Sequence, residues 1–182
     1  MVREKYRGWE RQRLLQTVEE LGIAYEKYCG SCSQCAAAAL WEILGFEDIV
    51  VQTATSSCGG QAGVSTGVCG ALIGGTIVLD YYLGRPVNML SATETLPDSH
   101  EALGKAMESA RILCGKFTDT YGSILCPGVQ TKLYGRPFNL QDEKEWQAFI
   151  DAGGHSDETK CMSVVGNAAK WTLEILFGLN KV

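Results

Sequence analysis

The sequence predicts an all-α protein, a single-domain helical bundle of about five to six helices with long, cysteine-bearing loops rich in Gly and Ser. Apolar residues recur near the helical period in several segments, and a glycine follows the end of most of these segments. The composition, 46% hydrophobic and 20% charged, is typical of a globular protein. Since no linker or repeat divides the chain, we expect one domain over residues 1–182.

In the first third of the chain we expect two helices followed by a loop. Residues 9–28 carry apolar side chains near the helical period. Residues 33–44 are strong helix formers, apolar on nearly all sides and ended by Gly45, which predicts a buried central helix. Residues 49–67 are rich in Ser, Thr and Gly, so we expect a long ordered loop, with a short strand at 49–51 as an alternative.

The rest of the chain predicts further helices around one looser region. Residues 68–83 form a helix with several glycines, which indicates close packing by a neighbour. Residues 97–121 carry a long apolar stripe and are followed by a glycine. The looser region at 123–160 contains a short helix at 141–151, and the last helix covers 161–177.

Charge and hydropathy exclude several classes of function. The net charge of −5 argues against nucleic acid as a partner, since no basic stripe is present to neutralise phosphates. The longest apolar stretch, residues 68–79, ends at Asp80 and is too short to cross a bilayer, so we expect no membrane insertion. The charged N-terminal segment lacks the apolar core of a signal peptide. We therefore expect a cytoplasmic protein, in which structural disulfides are rare.

Eight cysteines then need another explanation. Cys29, Cys32 and Cys35 form a Cys-x2-Cys-x2-Cys run that starts like a bacterial ferredoxin motif, although Ala39 stands where the fourth cysteine would be. Two further cysteines, Cys69 and Cys161, stand at predicted helix starts, as Cys35 does. Helix N-termini lower thiol pKa values and stabilise anionic groups. Thiolates at several helix N-termini that face one pocket would suit an iron–sulfur cluster.

The remaining thiols and the histidines have different expectations. Cys126 precedes Pro127 in a predicted loop after the long helix, whereas Cys114 adjoins an apolar stripe and is expected only to pack in the core. His155 lies shortly before Cys161 and is near enough in sequence to approach the thiol pocket, although an ordinary loop histidine is the more common case. His100 is expected to serve as a helix cap or to face solvent.

Glycines accompany the cysteines and predict close backbone approach. Gly59, Gly60 and Gly63 precede a helix, and Gly70 follows Cys69. The spacing is not that of a dinucleotide or phosphate loop. We expect these glycines to bring backbone N–H groups close to a cofactor or to another helix.

Several segments together resemble a known family. They are Gln34-Cys35-Ala36-Ala37-Ala38, the Gly-rich residues 59–63, and Val68-Cys69-Gly70-Ala71-Leu72-Ile73-Gly74, with Cys126 and Cys161. From about residue 31 to 178 the chain resembles the C_GCAxxG_C_C family. The resemblance implies a soluble helical protein, common in anaerobes, to which a redox or iron–sulfur role is assigned from its cysteines. Related modules accompany haem domains in split-Soret-type cytochromes, where the cysteine region is associated with an iron–sulfur cluster.

This chain departs from the family pattern in two ways. The second motif reads Cys-Gly-Ala rather than Gly-Cys-Ala, and three thiols are additional: Cys29, Cys32 and Cys58.

We therefore expect an iron–sulfur protein that acts in electron transfer with a redox partner protein. The favoured ligands are Cys35, Cys69, Cys126 and Cys161; Cys29, Cys32 and Cys58 are alternative ligands or a second site. Converging thiolates without a cation would repel one another at high cost, which favours a metal. Two alternatives stay open: a thiol–disulfide oxidoreductase that uses Cys29 and Cys32, or Cys32 and Cys35, and a structural zinc module. A homo-oligomer is a further option.

Overall fold

The computed structural model describes residues 2–182, so Met1 of the predicted domain lies outside the described residues. Within residues 2–182 the chain forms eight α-helices and two short 3-10 turns. The helices are α1 (Arg11–Cys29), α2 (Cys32–Leu44), α3 (Asp48–Thr53), α4 (Gly70–Leu83), α5 (Ser99–Tyr121), α6 (Cys126–Tyr134), α7 (Glu143–Asp151) and α8 (Cys161–Gly178). The only β-type pairing described is an isolated bridge between Val68 and Leu125, so the predicted all-α class is confirmed.

Two short helices lie where the sequence predicts loops. Helix α3 replaces the first part of the predicted loop at 49–67, and the alternative strand at 49–51 is wrong because these residues are helical. Helix α6 begins at Cys126, where the sequence predicts a loop, and Pro127 occupies its first turn. Proline suits this position because its fixed φ is helical and the N–H it lacks would have no partner there. The described residues therefore contain more helices than the five or six predicted.

Helix α2 is the centre of the bundle, as its apolar sequence predicts. It packs against α1, α4 and α8, and α8 also contacts both α1 and α4. Ala36, Leu40 and Ile43 of α2 are fully buried. The α1–α8 crossing is close because glycines meet there: a Cβ on Gly22 would lie 2.9 Å from the Cα of Gly166. Such contacts bring the backbones of α1 and α8 close together.

Several of these ends meet at one end of the bundle. The backbone N–H of Cys69 donates to the carbonyl of Ile124 at 2.9 Å, and that of Cys126 donates to Gly67 at 2.9 Å. These bonds hold the starts of α4 and α6 side by side. No helix among residues 2–182 is long and apolar enough to span a membrane.

Candidate functional site

A cavity of about 140 Å³ lies where the helix ends meet, and we call it the thiol cavity. Five cysteines line it: Cys32, Cys58, Cys69, Cys126 and Cys161. Four of these stand at the start of a helix, since Cys69 directly precedes α4 and the other three begin α2, α6 and α8. The fifth, Cys58, lies in the loop between α3 and α4.

The structure brings together some of the predicted ligands but not all. Of the four favoured residues, Cys35 does not line the thiol cavity; it is buried one turn further along α2, where burial and the charge of Glu26 raise the pKa of its thiol. Of the second-choice residues, Cys29 is exposed at the end of α1. Cys114 is half-buried and packs against the core, as predicted.

Burial dominates the electrostatics of these thiols. It raises the pKa of Cys69 to about 11 and that of Cys126 to about 12. Burial also raises the pKa values of Cys32 and Cys161, and the negative charges of neighbouring thiolates would raise them further. The residues that line the cavity include no Lys or Arg, within the part of the chain that the structure describes. Deprotonation therefore needs a compensating cation that the protein itself does not place there.

Backbone N–H groups partly offset this burial. The amides of Ala71 and Leu72, in the first turn of α4, lower the pKa of Cys69. The amide of Gly59 donates to the sulfur of Cys32 and lowers its pKa in the same way. Both interactions favour a thiolate, and they would also favour an anionic group bound to it.

The predicted glycines surround the same cysteines. Gly59 and Gly63 line the cavity. A Cβ on Gly60 would lie 2.9 Å from the Cβ of Cys126, and a Cβ on Gly70 would contact the sulfur of Cys32. The expected close backbone approach is therefore present at these glycines, while their predicted contact with a cofactor stays a prediction.

The loop that carries Cys58 has an uncommon backbone. Residues 59–63 all have positive φ, including the non-glycine residues Gln61 at 74° and Ala62 at 49°. Left-handed backbone at a non-glycine residue costs about 1–2 kcal/mol, and it persists only where the surroundings enforce it. Here Ser65 donates its N–H to Gly59 at 2.8 Å, and Leu140 donates to the Ser65 hydroxyl at 3.1 Å. The strained turn thus holds Cys58 and Gly59 at the cavity wall.

An acid and an imidazole join the thiols in this cavity. Glu26 of α1 is only 3% exposed, and burial raises its pKa to about 7. Its Oε1 lies 3.7 Å from Nδ1 of His155, which also lines the cavity; burial lowers the pKa of that imidazole. The sequence predicts that His155 is near the pocket, but it does not single out Glu26. The available signal was helical spacing, because Val18, Gly22 and Glu26 follow one another at intervals of four on the buried side of α1.

Aromatic side chains form the outer wall. Trp146 and Phe149 of α7 line the cavity and stand with ring centroids 5.9 and 5.5 Å from that of His155. Tyr134 of α6 packs edge-to-face against Phe149 at 5.7 Å. Its hydroxyl accepts the backbone N–H of Cys161 at 3.2 Å. Trp146 and Phe149 give this side of the cavity an apolar lining next to the polar side chains of Gln130 and His155.

As the side chains stand, no group of three or more His, Cys, Asp or Glu residues among residues 2–182 has an arrangement that could hold a metal ion. The cavity therefore brings potential metal ligands to one space, but their side chains are not arranged as a complete metal site.

Helices that meet at a buried, cysteine-lined cavity define a helical, cysteine-rich protein with a candidate redox centre. The chain belongs to the C_GCAxxG_C_C family: the family model described as "Putative redox-active protein (C_GCAxxG_C_C)" matches residues 10–175. The family resemblance of the sequence is thus confirmed, and the description supports a redox role. No curated protein and no solved structure matches the chain.

Proposed function

We propose that the thiol cavity binds an iron–sulfur cluster and that the protein transfers electrons to and from a redox partner protein. The observation that carries this proposal is the convergence of five cysteines on one cavity whose lining, among the described residues, includes no Lys or Arg. Burying several thiolates without a cation is costly, whereas iron ions balance their charge. Helix-start N–H groups suit the anionic core of such a cluster.

The donor set of this chain fits such a cluster. The proposed ligands come from the five cysteines of the cavity, so Cys32 takes the place that the sequence gives to Cys35. A bound cluster would supply one-electron chemistry. The protein's own part is to hold the sulfurs at the helix starts, to donate the amides of Gly59, Ala71 and Leu72, and to exclude water with Trp146 and Phe149.

Thiol–disulfide exchange is less well supported by this geometry. An exchanging thiol must be accessible and have a pKa near the ambient pH. Cys29 is exposed, but Cys32, which belongs to both possible exchange pairs, has a pKa raised by burial, and so has Cys35. A structural zinc ion remains the inorganic alternative, because thiolates bind it as well.

Anaerobic purification tests the proposal. We expect a brown protein that contains iron and acid-labile sulfide and has visible charge-transfer bands. Cys69→Ser should lower the iron content at least severalfold, whereas Cys114→Ser, which changes a half-buried thiol outside the cavity, should not. A colourless protein without iron would contradict the proposal. Stoichiometric zinc would favour the structural alternative, and a loss of two alkylatable thiols on oxidation would favour exchange.

A further inference from the structure

Glu26 and His155 each carry a buried polar atom without a hydrogen-bond partner among the described residues. These atoms are Glu26 Oε2 and His155 Nδ1. Both residues line the thiol cavity, and the other carboxylate oxygen, Oε1, lies 3.7 Å from Nδ1. Because buried polar groups in folded proteins nearly always have partners, two unpartnered groups on one cavity wall indicate that a ligand belongs there.

The surroundings of this pair point to a cation. Glu26 lines the same cavity as Cys32, Cys69 and Cys161, and its negative charge would raise the pKa values of these thiols in addition to the larger effect of burial. Neither Lys nor Arg lines the cavity in the described part of the chain, so an anionic or phosphate-bearing ligand would meet no opposite charge. A positively charged ligand would instead be attracted to the acid and to the thiolates.

The chemistry and spacing of the pair suit a metal ion. Carboxylate oxygen and imidazole nitrogen are common metal ligands. Two ligands of one tetrahedral ion, at bond lengths of about 2.0–2.2 Å, stand roughly 3.4 Å apart. The observed 3.7 Å between Glu26 Oε1 and His155 Nδ1 is close to this value. The His155 ring is also held in place, by Phe149 edge-to-face at 5.5 Å and by Trp146 at 5.9 Å.

We infer that Glu26 and His155 are non-sulfur ligands of the metal centre in the thiol cavity. The carboxylate and the imidazole would hold one side of the centre, and cysteines of the cavity would hold the rest. The inference rests on the proposed iron–sulfur function and adds to it. Replacing thiolate by imidazole raises the reduction potential of an iron–sulfur centre, so this centre has a higher potential than an all-cysteine centre of the same type.

The histidine content of the chain allows a direct test. Only two histidines are present, His100 and His155, and His100 is exposed at the start of α5. Anaerobically prepared protein, labelled with 15N-histidine and reduced with dithionite, is measured by pulsed EPR. We expect an imidazole nitrogen coupling that changes on labelling, persists in His100→Ala and is lost in both His155→Ala and His155→Gln. Circular dichroism checks that each variant is folded.

Glu26→Gln tests the oxygen ligand, with Glu20→Gln as its control because Glu20 is exposed on the same helix. Loss of an anionic ligand should raise the midpoint potential and change the EPR g-values, whereas a purely structural role would alter only the stability. A cluster without histidine coupling, and with g-values unchanged in Glu26→Gln, would overturn the inference alone. Wild-type protein without iron or labile sulfide would overturn the proposed function and this inference with it.

Discussion

Tyr134 and Cys161 are joined by two hydrogen bonds at the start of α8. The backbone N–H of Cys161 donates to the Tyr134 hydroxyl at 3.2 Å, and that hydroxyl donates to the sulfur of Cys161. One tyrosine thus accepts a hydrogen bond from a free amide of the helix N-terminus and also lowers the pKa of the Cys161 thiol. Burial acts on that pKa in the opposite direction and raises it. The pair connects α6 to α8 across the edge of the thiol cavity.

Tyr134→Phe should lower the free energy of unfolding by about 1–2 kcal/mol, because the partly buried N–H of Cys161 loses its acceptor. Urea unfolding followed by circular dichroism measures the change. Tyr28→Phe is the matched control, since Tyr28 is 80% exposed and should change the stability very little. Equal effects of the two substitutions would contradict the role given to Tyr134.

Gly60→Ala tests the contact between the strained loop and Cys126. Gly60 has a φ of 68°, and an added Cβ would lie 2.9 Å from the Cβ of Cys126 and 3.0 Å from the backbone of Ser65. Gly135→Ala is the control, because Gly135 has a φ of 80° but nothing within 4 Å of its added Cβ. Both lose stability from backbone strain, but Gly60→Ala should lose about 1–3 kcal/mol more in urea unfolding. Equal losses of stability in the two variants would contradict a close contact between Gly60 and Cys126.

Helical spacing and glycine stops predict most of the fold because they report directly on burial and on helix ends. The central position of α2 follows from its apolar sequence. Helices α3 and α6 are too short to show a clear helical period. The Ile-Val-Val segment of α3 is equally typical of a strand, and the Pro-Gly segment of α6 is equally typical of a turn. Tertiary contacts decide such segments, so local sequence is not sufficient.

The thiol cavity is predicted from the sequence only in part. Helix starts indicate which cysteines meet, but the choice between Cys32 and Cys35 depends on where α2 begins, which pattern alone fixes to within a few residues. The structure begins α2 at Cys32, so this residue lines the cavity and Cys35 lies one turn inside the core. Glu26 is missed for a similar reason. A single acid on a helix indicates a functional site only once the buried face of that helix is known.

Gly22→Ala should destabilise the protein, whereas the same substitution at an uncrowded helical position should be neutral or stabilising. Alanine is about 1 kcal/mol more favourable than glycine inside a helix. At Gly22, however, the added Cβ would lie 2.9 Å from the Cα of Gly166 on α8, and backbone atoms move only at a cost. We expect a net loss of about 1–3 kcal/mol in urea unfolding. Gly104→Ala on α5, with nothing within 4 Å, should instead be neutral or stabilising; a gain at both sites would contradict the close α1–α8 crossing.

The stability of the metal-free protein should depend on pH through Glu26. Its folded pKa, about 7, lies above the ordinary value of 4.5, so the folded state holds a proton that the unfolded state releases between these pH values. Its contribution is therefore greatest below pH 4.5 and is lost as the pH rises to 7, by roughly 2–4 kcal/mol in total. His155 acts in the opposite direction, because its lowered pKa makes the fold less stable as the pH falls through its ordinary value of 6.5.

Comparison with Glu26→Gln separates the two contributions. Urea unfolding of chelator-treated protein, measured from pH 4.5 to 8, should show the variant gaining stability relative to wild type as the pH rises, with the difference constant above about pH 7.5. Gln keeps the shape of Glu but carries no charge, so it removes the cost of ionising a buried carboxyl. Parallel pH profiles for variant and wild type would mean that Glu26 has the same pKa in the folded and unfolded chains. This result would contradict the raised pKa of the buried carboxyl.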